Sequence, residues 1–447
     1  MRARIEAGIV YSPYTYSPLA YDGALYGSLM ERLTAHGSTT ALVCGHDKLT
    51  YWELRDKLQH CAAGFHRRGI GKGDRVFVHI DNSIESFVAV CSVPLTGATL
   101  VSSDIMWREG ERTRVPSNLY MVLTQKVFVV GEKRYGFNSV FEFVGNDESL
   151  NENEKFDYGD CTFVEWTTGT TGASKGVEYR EERFLRQISC VVGAEMFACN
   201  DVFLGDCNIS CLMVFFLWLL ALHLGSTIVI SRTCDAVPLD LFDVIKDCKA
   251  VTIVSFPSRL KRMLNFMKTS EDWDIALRKS LRRIIIVGSV TPPALAEELA
   301  STFQLDELRS CYGMSEAGGF MAVPPKGEVS GTNAGFPIPG ARMKIIDTVS
   351  SKVLGPMQCG EVLFDTPLAV TGYCGHLEDA TDFMDTEGWI HTDRMASFMH
   401  LHGGVYFAEA LPRNTRGKVR ATSLRELLGT LRRMDSTDES TAGDCIY

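Results

Sequence analysis

Over most of its length the chain alternates short runs of β-branched residues with amphipathic helical patterns, and this restricts its fold more than any other feature. In "LTYWELRDKLQHCAAGFHRRGIGKGD", Thr50 and Glu53 form a capping-box pattern. Leu54, Leu58, Cys61, Ala62 and Phe65 then recur at helical spacing until Gly69 stops the segment. "RVFVHI" follows as a strand, and a second helix is expected from near Ser83 towards Thr96. The exchange continues through "TIVIS", "LFDVIKDC", "VTIVSF", "PSRLKRMLNFM", "RRIIIVG" and "PPALAEELASTF". Such alternation implies an α/β chain with largely parallel sheets, because parallel neighbours need a crossover that a helix supplies. At 447 residues the chain exceeds one compact core, so at least two domains are expected.

Beyond about Asn333 the texture changes. "GFPIPGARMKIID" and "GEVLFDTPLAVTGY" are short strands punctuated by Gly and Pro, which predicts a small β-rich subdomain over about 333–388. "ATSLRELLGTLRRM" reads as a last helix, and 435–447, "DSTDESTAGDCIY", as a disordered acidic tail.

Composition narrows the partners. A net charge of −10 leaves no basic field for nucleic acid or an anionic membrane surface. The 14 cysteines include no C-x-x-C pair, which favours a reducing compartment and no structural zinc. The longest apolar run, Cys211 to Leu222, falls short of the roughly 20 residues a membrane span needs and reads as a buried helix. The first residues lack the apolar core of a secretory signal and "DCIY" is not the S-K-L peroxisomal address, so a cytoplasmic location is expected.

One stretch asks for a ligand. "TFVEWTTGTTGASKGVEYR" packs four threonines, three glycines, a serine and a lysine into Thr167 to Gly176. Glycine lets the backbone approach a ligand closely, hydroxyls and N–H groups donate, and lysine adds a positive point charge, which is what a phosphate-holding loop needs. The β-branched and aromatic run before it places the loop at a strand end, where α/β proteins commonly bind ligands. The spacing is not that of the P-loop, and on composition alone a flexible surface turn fits equally well.

Several ordered stretches resemble the AMP-forming acyl-CoA synthetases, the adenylate-forming superfamily that includes coumarate:CoA ligases, fatty acyl-CoA ligases and insect luciferases. "TTGTTGASKGV" is similar to their phosphate loop and "CYGMSEAGG" to their Tyr-Gly-x-Thr-Glu motif. "GTNAGFPIPG", "CGEVLF" and "TGYCGHLEDATDFMDTEGWIHTD" resemble the run ending in Gly-Trp-x-x-Thr-Gly-Asp, and "LPRNTRGKVRATSLREL" the segment with the family lysine. The resemblance implies an α/β architecture with layered parallel sheets in a large AMP-binding domain, 1–388, followed by a lid remnant at 389–434.

It also implies a chemistry: ATP activates a fatty or aryl carboxylic acid to an acyl-adenylate, and coenzyme A then takes the acyl group as a thioester. By the resemblance, Thr167, Thr168, Gly169, Thr170, Thr171, Gly172 and Lys175 hold the β- and γ-phosphates. Tyr312 lies against adenine with Gly313 beside it, Ser315 donates to the α-phosphate in place of threonine, and Glu316 binds Mg²⁺. Gly288 and Ser289 of "VGSVTPP" approach adenine or the acyl group, unless that turn is a plain βα connection. Lys418 in "TRGKV" reaches the carboxylate and α-phosphate.

The chain departs from the family pattern in places. Ser174 stands for the usual proline, and Ser210 or Cys211 falls near the position of a family histidine. After Thr392 the ribose-binding Gly-Asp is replaced by Asp393 and Arg394, so either a glycine is lost and Asp393 serves, or Arg394 occupies the carboxylate's place. From "TDRMASFMHLHGGVYF" the chain passes almost at once to "AEALPRNTRGKV", where the family places most of a lid domain, on the order of 100 residues. Three readings follow: a carboxylate:CoA ligase, a nucleotide- or acyl-binding relative without turnover, or an incomplete gene product of a full ligase.

Overall fold

The computed structural model of the chain describes residues 2–16, 25–80, 82–104, 126–129, 138–139, 163–168, 174–206, 209, 212–231, 238–269, 280–355, 358, 360–370, 373 and 383–396. The expected last helix, the acidic tail and most of the lid remnant lie outside these residues.

The strand and helix alternation folds into two large, mainly parallel sheets. The seven-stranded sheet runs, in spatial order, Glu307–Ser310, Arg283–Ile286, Thr252–Ser255, Val202–Gly205, Thr227–Ile230, Thr40–Cys44 and Asp47–Thr50. Only the last pair is antiparallel. The six-stranded sheet runs Ser174–Tyr179, Phe163–Thr168, Thr99–Asp104, Arg75–Ile80, Lys126–Val129 and Asn138–Ser139. It is parallel except for the hairpin at its edge.

Helices cover these sheets for reasons visible in their sequences. Tyr51–Arg67 begins at the Thr50–Glu53 capping box, in which each residue's side chain bonds the other's backbone N–H. It buries Leu54, Leu58, Cys61, Ala62 and Phe65, and Gly69 follows at φ 70°, a left-handed turn that glycine adopts without strain. Ile84–Leu95 is capped by the Ser83 side chain on the Ser86 N–H. The apolar run expected as a buried helix is Leu212–His223, and Trp218 within it is wholly buried. Among the described residues no helix is long and apolar enough to cross a membrane.

The main core joins both large sheets through these helices. Phe215 illustrates the seam, stacking on Phe163 of the six-stranded sheet at 5.4 Å between ring centroids.

Two smaller antiparallel sheets complete the architecture. The five-stranded one orders Ile5–Glu6, Ile9–Tyr11, Arg342–Ile346, Gly360–Asp365 and Ile390–Ala396, drawing strands from far apart in the chain. The three-stranded one joins Tyr312–Met314, Gly319–Val323 and Phe336–Pro337.

Candidate active site

The parallel strands of the seven-stranded sheet end together, and their carboxyl ends carry the residues singled out by sequence. Arg283–Ile286 and Glu307–Ser310 pair in register, Ile286 opposite Ser310. Beyond them the backbones stay joined, since the Cys311 N–H donates to the Ile286 carbonyl at 2.8 Å. Gly288 and Tyr312 therefore leave neighbouring strands at the same edge, the edge at which open α/β sheets bind ligands. Gly288 turns away at φ 87°, and Ser289 after it is exposed.

The segment Tyr312 to Glu316 is fixed from several sides. Tyr312 packs its ring against Phe364, with centroids 5.9 Å apart. A Cβ on Gly313 would collide with the Gly319 carbonyl oxygen, so only glycine allows Tyr312–Met314 to lie against Gly319–Val323. Ser315–Ala317 forms a single 3₁₀ turn, closed by Gly318 at φ 81°.

The described ends of the Thr-rich stretch lie on two paired antiparallel strands, and both strands reach Ser315. Its first strand, Phe163–Thr168, does not lead into a helix; Ser174–Tyr179 returns beside it, with Thr167 opposite Lys175 and Thr168 opposite Ser174. From the first strand Glu165 accepts a hydrogen bond from Ser315 Oγ at 3.3 Å. From the second, Tyr179 Oη donates to the Ser315 carbonyl at 2.9 Å.

Glu316 is held by a third layer. Tyr373 Oη donates to Glu316 Oε1 at 3.0 Å, and the Val370 N–H donates to the Glu316 carbonyl at 2.9 Å. Tyr373 also bridges Val177 of the hairpin. Hairpin, 3₁₀ turn and Tyr373 thus form one connected unit around a half-buried carboxylate.

This donor set fits Mg²⁺. A hard cation takes carboxylate oxygen, and Mg²⁺ is commonly bound by one or two carboxylates plus substrate phosphates rather than by an all-protein cage. Glu316 supplies such a carboxylate, and among the described residues no group of three or more metal-ligating side chains offers the alternative.

A second polar cluster lies at the same sheet edge. Asp206, immediately after Val202–Gly205, accepts from Ser255 Oγ at 2.8 Å and from Arg259 Nη1 at 3.2 Å. Burial pushes its carboxyl pKa above the usual value, against the opposing pull of Arg259 and Ser255.

The structure brings Tyr312, Gly313, Ser315 and Glu316 together with the strands that carry Thr167, Thr168 and Lys175, and sets Gly288 and Ser289 at the adjoining strand end. Gly169, Thr170, Thr171, Gly172, Ser210, Cys211 and Lys418 lie outside the described residues, as do the side chains of Thr167, Thr168, Lys175, Asp393 and Arg394. The backbone of Ile390–Ala396 is described, and between the pairs Glu361–Met395 and Leu363–His391 it bulges around Thr392 to Arg394. Sequence reasoning missed Glu165, Tyr179 and Tyr373. For Glu165 a signal existed, a lone acid inside the strand FVEWTT.

A parallel-sheet edge, a glycine-rich stretch between paired strands and a carboxylate beside a hydroxyl are groups with which α/β enzymes hold phosphates. The chain belongs to the AMP-binding enzyme family, which matches it over residues 29–374. It is 23% identical over 400 residues to 4-coumarate--CoA ligase 2 of Nicotiana tabacum, covering 82% of this chain and 72% of that one. Among solved structures it resembles the luciferase-like enzyme from the nonluminescent Zophobas morio mealworm, with a TM-score of 0.76 at 18% identity, over 89% of this chain and 96% of that one. A long-chain-fatty-acid-CoA ligase from Archaeoglobus fulgidus gives a TM-score of 0.74 at 19% identity, over 99% of this chain and 92% of that one. These structural likenesses carry the adenylate-forming fold.

Proposed function

We propose that the chain uses ATP to activate a small carboxylic acid, fatty or aryl, to an acyl-adenylate and then transfers the acyl group to coenzyme A. The observation that carries this reading is the tie between the Thr-rich hairpin and the Ser315–Glu316 turn. A hairpin that grips phosphates is useful only if it is registered against groups that act on the phosphorus under attack.

In the first step a carboxylate oxygen bonds to the α-phosphorus and pyrophosphate leaves. Negative charge gathers on phosphate oxygens, so the protein's task is positioning and donor placement. Thr167, Thr168, Gly169, Thr170, Thr171 and Gly172 cradle the β- and γ-phosphates, with the Lys175 ammonium as the cation. Ser315 Oγ donates to the α-phosphate, and Tyr312, above Gly313, flanks the adenine. Gly288 and Ser289 leave room where nucleotide and acyl group meet, and Asp393 holds the ribose. Glu316 would hold Mg²⁺, which would supply positive charge to offset that gathering on the phosphates. The Lys418 ammonium is the group for the carboxylate and α-phosphate.

The test is exchange of labelled pyrophosphate into ATP with a panel of fatty and aryl acids, followed by a search for acyl-CoA on adding coenzyme A. Acid-dependent exchange is expected, and Glu316→Gln should lower it by about 10²–10³-fold, the scale of removing one group that stabilises transition-state charge. A folded wild-type chain that binds ATP but exchanges with no acid would instead be a nucleotide-binding relative without turnover.

A further inference from the structure

Helix Glu181–Gly193 carries one polar residue that neither the fold nor the chemistry above explains. Phe184, Gln187, Ile188 and Val191 form a buried stripe at the spacing of one helix face. Gln187 is 1% exposed, and neither its Oε1 nor its Nε2 has a hydrogen-bond partner among the described residues. A buried amide left unpaired opposes folding, whereas leucine or methionine would fill the same place without that cost.

The amide lies against the candidate site. A Cβ on Gly319 would stand 3.3 Å from both Cδ and Nε2 of Gln187, so any side chain there would rest on the amide. Gly319 in turn pairs with Met314, the residue before Ser315. Steps of about 3.8 Å along the chain, about 5 Å across the pair and about 5 Å on to the amide put it within about 14 Å of Ser315. Its neighbours along both elements are aromatic: Phe184 of the same helix meets Phe216, and Phe216 meets Phe320, the residue after Gly319. An apolar surrounding with one polar group is how small-molecule sites fix the orientation of a ligand.

We propose that Gln187 is a specificity-determining residue that selects an acid bearing a hydroxyl over the matching hydrocarbon acid. This rests on the reading in which Ser315 faces the phosphorus under attack, because that reading sets the substrate's carboxyl end at Ser315 and leaves its far end to reach Gln187. A hydroxyl serves either half of the amide, accepting from Nε2 or donating to Oε1, whereas a carbonyl or carboxylate serves only Nε2. An acid without the hydroxyl leaves the amide unpaired and is disfavoured on that account.

Pyrophosphate exchange with matched acids tests this, using ω-hydroxyoctanoic beside octanoic acid and para-hydroxyphenylpropanoic beside phenylpropanoic acid. The wild-type chain should prefer the hydroxylated member of at least one pair by about tenfold to a hundredfold in kcat/KM for the acid. Gln187→Met should abolish that preference while changing the KM for ATP less than about threefold. Because it removes an unpaired amide from the interior, it should also raise the urea midpoint of the chain without substrate. Gln187→Leu gives the same comparison should the first variant fold poorly. No preference in either pair, or a preference that survives in both variants, would overturn the proposal while leaving the ligase reading intact. A urea midpoint that falls in both variants would do the same, since the amide would then be part of the structural framework. Exchange with no acid at all would overturn both.

Discussion

At Gly313 a single missing Cβ decides whether the site can assemble. The Gly319 carbonyl oxygen occupies the space a Cβ would need, and that atom belongs to backbone that cannot swing aside as a side chain can. Gly313→Ala should therefore destabilise the chain by about 1–3 kcal/mol, the range for forcing extra volume into packed structure, and weaken nucleotide binding along with it. Urea denaturation beside ATP titration measures both; an unchanged midpoint with unchanged binding would show that the turn relaxes freely. The sequence exposed Gly313 because the signal is local, a glycine beside Tyr312 in a short motif. It concealed the partners of Ser315 and Glu316, because Glu165 lies 150 residues from Ser315 and Tyr373 lies 57 from Glu316. Distances of that kind come from sheet topology, which no window along the chain contains.

Among elements, the strand Glu307–Ser310 is the one that aims the site, and a buried arginine anchors it. Arg309 is wholly buried, yet its guanidinium donates to the carbonyls of Pro324, Glu195 and Ala194. It thereby ties the site strand to the end of helix Glu181–Gly193 and to the residue after Gly319–Val323. Arg309→Leu leaves three carbonyls without that donor at about 1–3 kcal/mol each where water cannot replace it, so a loss of about 3 kcal/mol or more is expected in urea denaturation. A loss below about 1 kcal/mol would mean that water takes over the carbonyls. Element boundaries were legible wherever their causes are local, as at the Thr50–Glu53 capping box and the Ser83 cap. The return strand Ser174–Tyr179 was not, because "SKGVEY" has no strong strand signature of its own and is held by pairing with Phe163–Thr168. The same holds for Ile9–Tyr11, a short strand that pairs with Arg342–Ile346 far along the chain, and for Ile5–Glu6, which pairs with Ile9–Tyr11.

For the molecule as a whole, the site is where three sheets meet. The Thr-rich hairpin edges the six-stranded sheet, Ser315 and Glu316 follow Tyr312–Met314 of the three-stranded sheet, and Tyr373 comes after Gly360–Asp365 of the five-stranded sheet. Under the proposed function a nucleotide bound there would touch all three layers, so its binding energy would be shared by the whole described body. At 100 times its dissociation constant a ligand specific for the folded state adds about 2.7 kcal/mol to stability. Tryptophans report on the layers separately: Trp166 in the hairpin, Trp218 in the helix between the large sheets, and Trp389 against Ile346 and Leu363 of the five-stranded sheet. If the layers melt as one unit, tryptophan fluorescence and far-ultraviolet circular dichroism will give the same midpoint, and Mg²⁺ with ATP will raise both by the same increment. Variants keeping only Trp166 or only Trp389 sharpen the comparison. A five-stranded sheet that melted early and ignored the nucleotide would mean that the Tyr373–Glu316 bond does not couple that layer to the rest, and Tyr373→Phe would then leave the ATP-induced shift unaltered.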